Sequence, residues 1–117
     1  MQRKTYQTAR AEKLDESLVF EIDGEEFTVY PYRVPGAVAI DVNKISQDSE
    51  RMWDFFRCAF GEREVVLDKD EKVAKTPDFE RFEAFTHTHR VEAETLGQII
   101  NDIGEAAFDR PTTPSVP

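Results

Sequence analysis

Apolar positions along this chain change period twice, and each change marks an element. From Leu18 to Tyr32 (LVFEIDGEEFTVYPY) the period is two: Leu18, Phe20 and Ile22 alternate with Val19 and Glu21, and Phe27, Val29 and Tyr30 follow after Asp23-Gly24. Two β-branched and aromatic runs separated by Asp-Gly predict a β-hairpin, because both turn residues tolerate the positive φ of a type I′ turn. From Ser46 to Gly61 (SQDSERMWDFFRCAFG) the period becomes helical, with Met52, Trp53, Phe56 and Phe60 on one face and Glu50, Arg51, Asp54 and Arg57 on the other. Ser46 and Asp48 are both suitable N-caps, and Gly61 is placed to take a left-handed C-terminal position. The chain's only tryptophan and three of its nine phenylalanines lie on this segment.

Two further helices follow. Thr76-Pro77 opens one, with Thr76 as N-cap, Pro77 in the first turn and Phe79, Phe82 and Phe85 forming an aromatic edge. A polar connector, His87 to Val91, leads to the last helix, Glu92 to Phe108, whose Leu96, Ile99, Ile100, Ile103 and Ala107 make an apolar stripe. Gly97 and Gly104 share one of its faces, at a cost of about 2 kcal/mol relative to alanine, which calls for close approach of another backbone there. Between the hairpin and the aromatic helix, Pro35 and the spacing of Val38, Val42 and Ile45 predict a helix across Gly36 to Ile45, although Val38, Ile40 and Val42 also fit strand spacing. Glu62 to Lys75 has no clear period around Val65-Val66-Leu67 and reads as a loop with at most one short turn. The expected fold is therefore mainly α within the α+β class, an N-terminal β-hairpin packed on about four helices.

Composition adds limits. The 117 residues fit one domain, expected over residues 18–108, between a flexible basic arm (1–17) and a Pro-rich disordered tail (109–117). The net charge is −9, and because Arg3, Lys4, Arg10 and Lys13 face only Glu12 in the first thirteen residues, 11 basic and 23 acidic residues remain downstream. Such a body repels phosphate backbones and anionic bilayers, so neither nucleic acid nor membrane is expected as a partner. With no apolar leader and no stretch of roughly twenty apolar residues, the expected location is cytoplasmic. Cys58, the single cysteine, is expected to be a small buried hydrophobe.

Little in the chain reads as chemistry. His87-x-His89 is the one pair with metal-ligand character, and Cys58, Glu83 and Glu92 do not complete a zinc spacing with it. No glycine-rich phosphate loop or nucleophile elbow occurs, and acidic pairs such as Glu25-Glu26 follow from the abundance of carboxylates. No catalytic, cofactor or metal residue is assigned. A small acidic domain with a heavy aromatic complement points to protein binding, with Trp53, Phe56, Phe60, Phe82 and Phe85 as candidate partner contacts on chemistry alone; the core competes for each of them.

The order of elements resembles the tail assembly chaperones of long-tailed, non-contractile bacteriophages. The resemblance runs from about residue 18 to 115 and rests on the strand pair FEIDGEEFTVYP, the aromatic segment MWDFFRCAFG, the Phe-rich helix, the final helix ETLGQIINDIGEAAF and the closing RPTTPS. The hairpin together with a last helix running into Arg110-Pro111-Thr112 is the most telling combination. The resemblance implies a non-enzymatic protein of the infected bacterium's cytoplasm that binds the tape measure protein while tail tube protein polymerises around it, and that is absent from the mature virion. It also implies a second, frameshifted long form as a partner. Apart from the resemblance, the glycine face of the last helix and the unpaired edge of the hairpin both offer surfaces for homo-oligomers. A structural tail completion or head-tail connector protein is the alternative.

Overall fold

In a computed structural model, residues 2–4, 13–35, 38 and 48–108 are described. Strands β1 (Leu18–Ile22) and β2 (Glu25–Val29) form an antiparallel hairpin, followed by a single 3-10 turn (Pro31–Arg33) and the helices α1 (Ser49–Ala59), α2 (Pro77–Thr88) and α3 (Ala93–Phe108). The fold is mainly helical α+β. Among the described residues three α-helices accompany the hairpin; the helix expected over 36–45 falls, apart from Val38, outside the described residues, as do most of the arm and all of the tail.

The hairpin forms where Asp-Gly demanded it. Asp23 and Gly24 both have positive φ, 50° and 86°, and the register sets Ile22 opposite Glu25 and Phe20 opposite Phe27. Period-two alternation then puts Leu18, Phe20, Ile22, Phe27 and Val29 on one face, which packs on the helices, while Val19, Glu21, Glu26 and Thr28 face outward. Phe20 stacks on Phe27 with ring centroids 5.6 Å apart, and both reach Phe60 and Phe82.

Asp48 is the residue that caps α1: its carboxylate accepts from the amides of Glu50 and Arg51, and it stands at the positive end of the helix dipole. The helix buries more than the single face expected. Phe55, Cys58 and Ala59 are buried together with Phe56 and Phe60, because α1 meets α2 through its aromatic rings and also packs against the 3-10 turn and α3. Gly61 does not take the left-handed position expected of it. Its place is fixed by closeness instead, since a Cβ there would stand 2.8 Å from the carbonyl oxygen of Arg57 and 3.1 Å from that of Cys58.

Thr76 caps α2 as its sequence signature requires, and does a second job. Its hydroxyl accepts from the Phe79 amide (3.2 Å) and donates to the carbonyl of Phe60 (2.9 Å), so one side chain ties the start of α2 to the end of α1. Thr76→Val keeps the shape and removes both bonds; it is expected to lower stability by about 1–2 kcal/mol in a urea melt. Helix α2 runs on through Thr88, so His87, expected in the connector, is helical; Thr86 is accommodated in the last turn by donating to the Glu83 carbonyl. The stripe of α3 is buried as its periodicity predicts, and Gly97 and Gly104 are buried with it.

Candidate protein-binding surface

Of the residues singled out for partner contact, Phe56 and Phe82 are fully buried, Phe60 is buried, and Phe85 is nearly so. They lie in one ring cluster: Phe56 and Phe60 stand 4.7 and 5.0 Å from Phe82, and Phe85 stands 5.2 Å from Phe27. Trp53 alone keeps an exposed edge, packed on Phe79 and stacked with His87. The two histidines do not converge. His89 lies flat on Phe85 at 3.9 Å with its Nδ1 3.7 Å from the Asp23 carboxylate, and among the described residues no three of His, Cys, Asp or Glu gather where a metal ion could be held.

Exposed apolar surface is found on the connector between α1 and α2, which carries no helical or strand period. Here the chain folds back on itself as a short ribbon: Leu67 bridges Val73, the Ala74 amide donates to the Val66 carbonyl at 2.8 Å, and the Asp68 amide donates to the Lys72 carbonyl at 2.8 Å. Asp68 closes the tip by accepting from the amides of Asp70 and Lys72, while Glu71 takes a left-handed φ of 61°. Those two amides hold the Asp68 carboxyl below its usual range. A depressed carboxylate contributes above its unfolded-state value, so this closure is intact at neutral pH and is lost as the pH falls through the lowered value.

The ribbon turns Val65, Val66 and Leu67 outward, each more than half exposed. Single exposed aliphatics are ordinary, but three in succession form a patch. Val65 and Val66 also line an open groove of about 250 Å³, together with Val73, Ala74, Pro77, Cys58 and Gly61. Its polar rim carries Glu62, Lys75 and Arg33. Burial pushes the Cys58 thiol up to about 11, so it is protonated at neutral pH and serves as an apolar wall rather than a nucleophile.

Arg33 holds one end of the groove rigid. Its guanidinium donates to the Gly61 carbonyl at 2.7 Å, to the Leu14 carbonyl at 2.8 Å and to the Asp15 carboxylate at 3.0 Å, and lies 3.8 Å over the Tyr30 ring. Leu14 and Asp15, from the end of the segment expected to be a mobile arm, are thereby fastened to the domain. The sequence gives no local sign of this role, because an arginine between two prolines fits no periodic pattern.

No helix among the described residues is long and apolar enough to cross a membrane. No protein-family model, no curated protein and no solved structure matches this chain.

Proposed function

We propose that this chain is a tail assembly chaperone of a long-tailed, non-contractile bacteriophage, a non-enzymatic protein that binds the tape measure protein in the host cytoplasm and is left out of the finished virion. The observation that carries this reading is the Val65-Val66-Leu67 patch with the apolar groove that Val65 and Val66 line, on a chain whose net charge is −9. A tape measure protein is a long helix with apolar stripes, and such a stripe laid along the ribbon gives the helix-in-groove mode of recognition. The acidic exterior then keeps the pair dispersed. The order of hairpin, aromatic helix, Phe-rich helix and terminal helix, which resembles that of these chaperones, supports the same reading.

The test is co-expression with the tape measure protein encoded in the same genome, followed by affinity capture and a solubility assay. The tape measure protein is expected in the soluble fraction, bound to this chain. A tape measure protein that stays insoluble and uncaptured overturns the proposal, and so does abundant recovery of this chain from purified virions, which marks a structural tail component.

A further inference from the structure

Two carboxylates face each other on the outside of the hairpin with nothing between them. Residues 18–29 hold four acidic side chains and no lysine or arginine. Two of the four are answered from α2 and its C-terminal end: Glu25 pairs with Arg81 at 2.6 Å, and Asp23 stands 3.7 Å from Nδ1 of His89. The other two, Glu21 and Glu26, are direct partners in the register, and among the described residues neither has a cation. Counting back from the two-residue turn, theirs is a non-hydrogen-bonded pair, the kind that brings side chains closest, and like charges set opposite one another are unfavourable.

The backbone beside Glu21 is open as well. Ile22, Phe20 and Leu18 bond inward to β2, so the amides and carbonyls of Val19 and Glu21 point outward, and no group among the described residues pairs with them. On the β2 side, by contrast, Arg81 donates to the Glu26 carbonyl at 2.9 Å. Side-chain burial shows the same asymmetry: Phe27 and Val29 on β2 are fully buried, whereas Leu18, Phe20 and Ile22 on β1 are only partly so. Such an edge is a template for another strand unless lysine or proline blocks it, and β1 has neither.

Charge decides which strand fits. A chain laid along β1 sets one of its side chains beside Glu21. A cation there balances the Glu21-Glu26 pair, while a carboxylate makes a third charge of the same sign. The edge therefore selects a basic occupant and rejects an acidic one, including the cation-free hairpin of a second copy.

We propose that β1 is a docking edge for an extended basic segment of a partner protein. The segment adds as an antiparallel third strand, so that Val19 and Glu21 each exchange both backbone bonds with one of its residues. Lysine or arginine stands opposite Val19 and Glu21 on the outer face, and apolar residues stand opposite Leu18, Phe20 and Ile22, completing their cover. Backbone bonds supply affinity and the alternation supplies specificity. A five-residue strand offers few such bonds, so binding is weak and falls with salt. This inference concerns a surface other than the Val65 to Leu67 ribbon and is independent of the proposed chaperone activity.

Calorimetric titration of the full chain with synthetic peptides at low salt tests it. The probe is a blocked peptide of alternating valine and lysine, long enough to span β1. One control has the same composition with its valines and lysines in separate blocks, and the other alternates valine and glutamate. The alternating lysine peptide is expected to bind more tightly than either control. Glu21→Lys, at an exposed position, is expected to weaken that binding about tenfold, because an attractive cross-strand pair becomes a repulsive one, and to admit the glutamate peptide instead. Val19→Pro removes an outward amide that the hairpin does not use, so a folded chain that no longer binds is expected. A wild-type chain that ignores the alternating lysine peptide at millimolar concentration overturns the proposal. Equal binding of the block peptide, which marks general attraction to an acidic surface, overturns it too, as does undiminished binding by folded Val19→Pro or by Glu21→Lys. A wild-type dimer in sedimentation equilibrium that Val19→Pro converts to monomer gives the edge to a second copy and likewise overturns it.

Discussion

Phe82→Ala is expected to lower the unfolding free energy by about 3–5 kcal/mol, a large part of the roughly 5–15 kcal/mol that stabilises a domain of ordinary size. The Phe82 ring joins both strands of the hairpin to the end of α1. Phe82, fully buried on α2, lies 5.9 and 5.3 Å from Phe20 and Phe27 of the hairpin and 4.7 and 5.0 Å from Phe56 and Phe60 at the end of α1. Truncation removes the transfer free energy of the ring and leaves a cavity whose walls are four other rings. Those walls come from the hairpin and the end of α1, so collapse onto the void requires both to shift against α2. A urea melt followed by the fluorescence of Trp53 measures the change, since this single tryptophan, on α1, packs on Phe79 of α2, the helix that carries Phe82. Phe82→Leu, which fills most of the space, is expected to lose clearly less. A loss below about 1 kcal/mol for the alanine variant, the size of an ordinary surface change, would mean that the cluster does not form in solution.

That cluster was legible in the sequence one segment at a time. Asp23-Gly24 fixed the hairpin register, Thr76-Pro77 fixed the start of α2, and the Leu96 to Ala107 stripe fixed the buried face of α3, because each signal is local and dictated by backbone chemistry. What escaped depends on contacts between segments. Phe55 looks surplus to the Trp53, Phe56 and Phe60 face; it is buried because α1 is packed on more than one side, a fact of assembly rather than of periodicity. Gly61 is at its position for want of space beside two carbonyls, which resembles a helix stop from sequence but differs from it in φ. The aromatic candidates for partner contact were chosen on chemistry that core and interface share, and four of the five lie in the core. The Val65 to Leu67 patch had no period to reveal it, because its conformation comes from the Leu67 bridge to Val73 and the carboxylate of Asp68. Arg33 has the same history, its partners being 18 to 28 residues away.

The patch also yields the sharpest separation of binding from stability. Val66→Asp combined with Leu67→Asp is expected to leave the fold intact and to reduce capture of the tape measure protein at least tenfold, about 1.4 kcal/mol. Both side chains are 55% exposed, so replacing them removes little buried area, and such surface changes usually stay within about 0.5 kcal/mol each. The ribbon itself is held by main-chain bonds of Val66, Asp68 and Ala74 and by the Asp68 carboxylate, none of which the substitutions remove. In the complex the balance reverses. An apolar stripe covering these positions would have to strip water from two carboxylates without offering them a partner, a penalty that far exceeds the lost contact area. The effect is read by comparing capture by wild-type and double-variant chains at equal concentration, with the urea midpoint of each recorded alongside. Undiminished capture by a folded double variant would move the binding surface off the ribbon, whereas failure of the wild-type chain to capture anything would reject the chaperone reading itself.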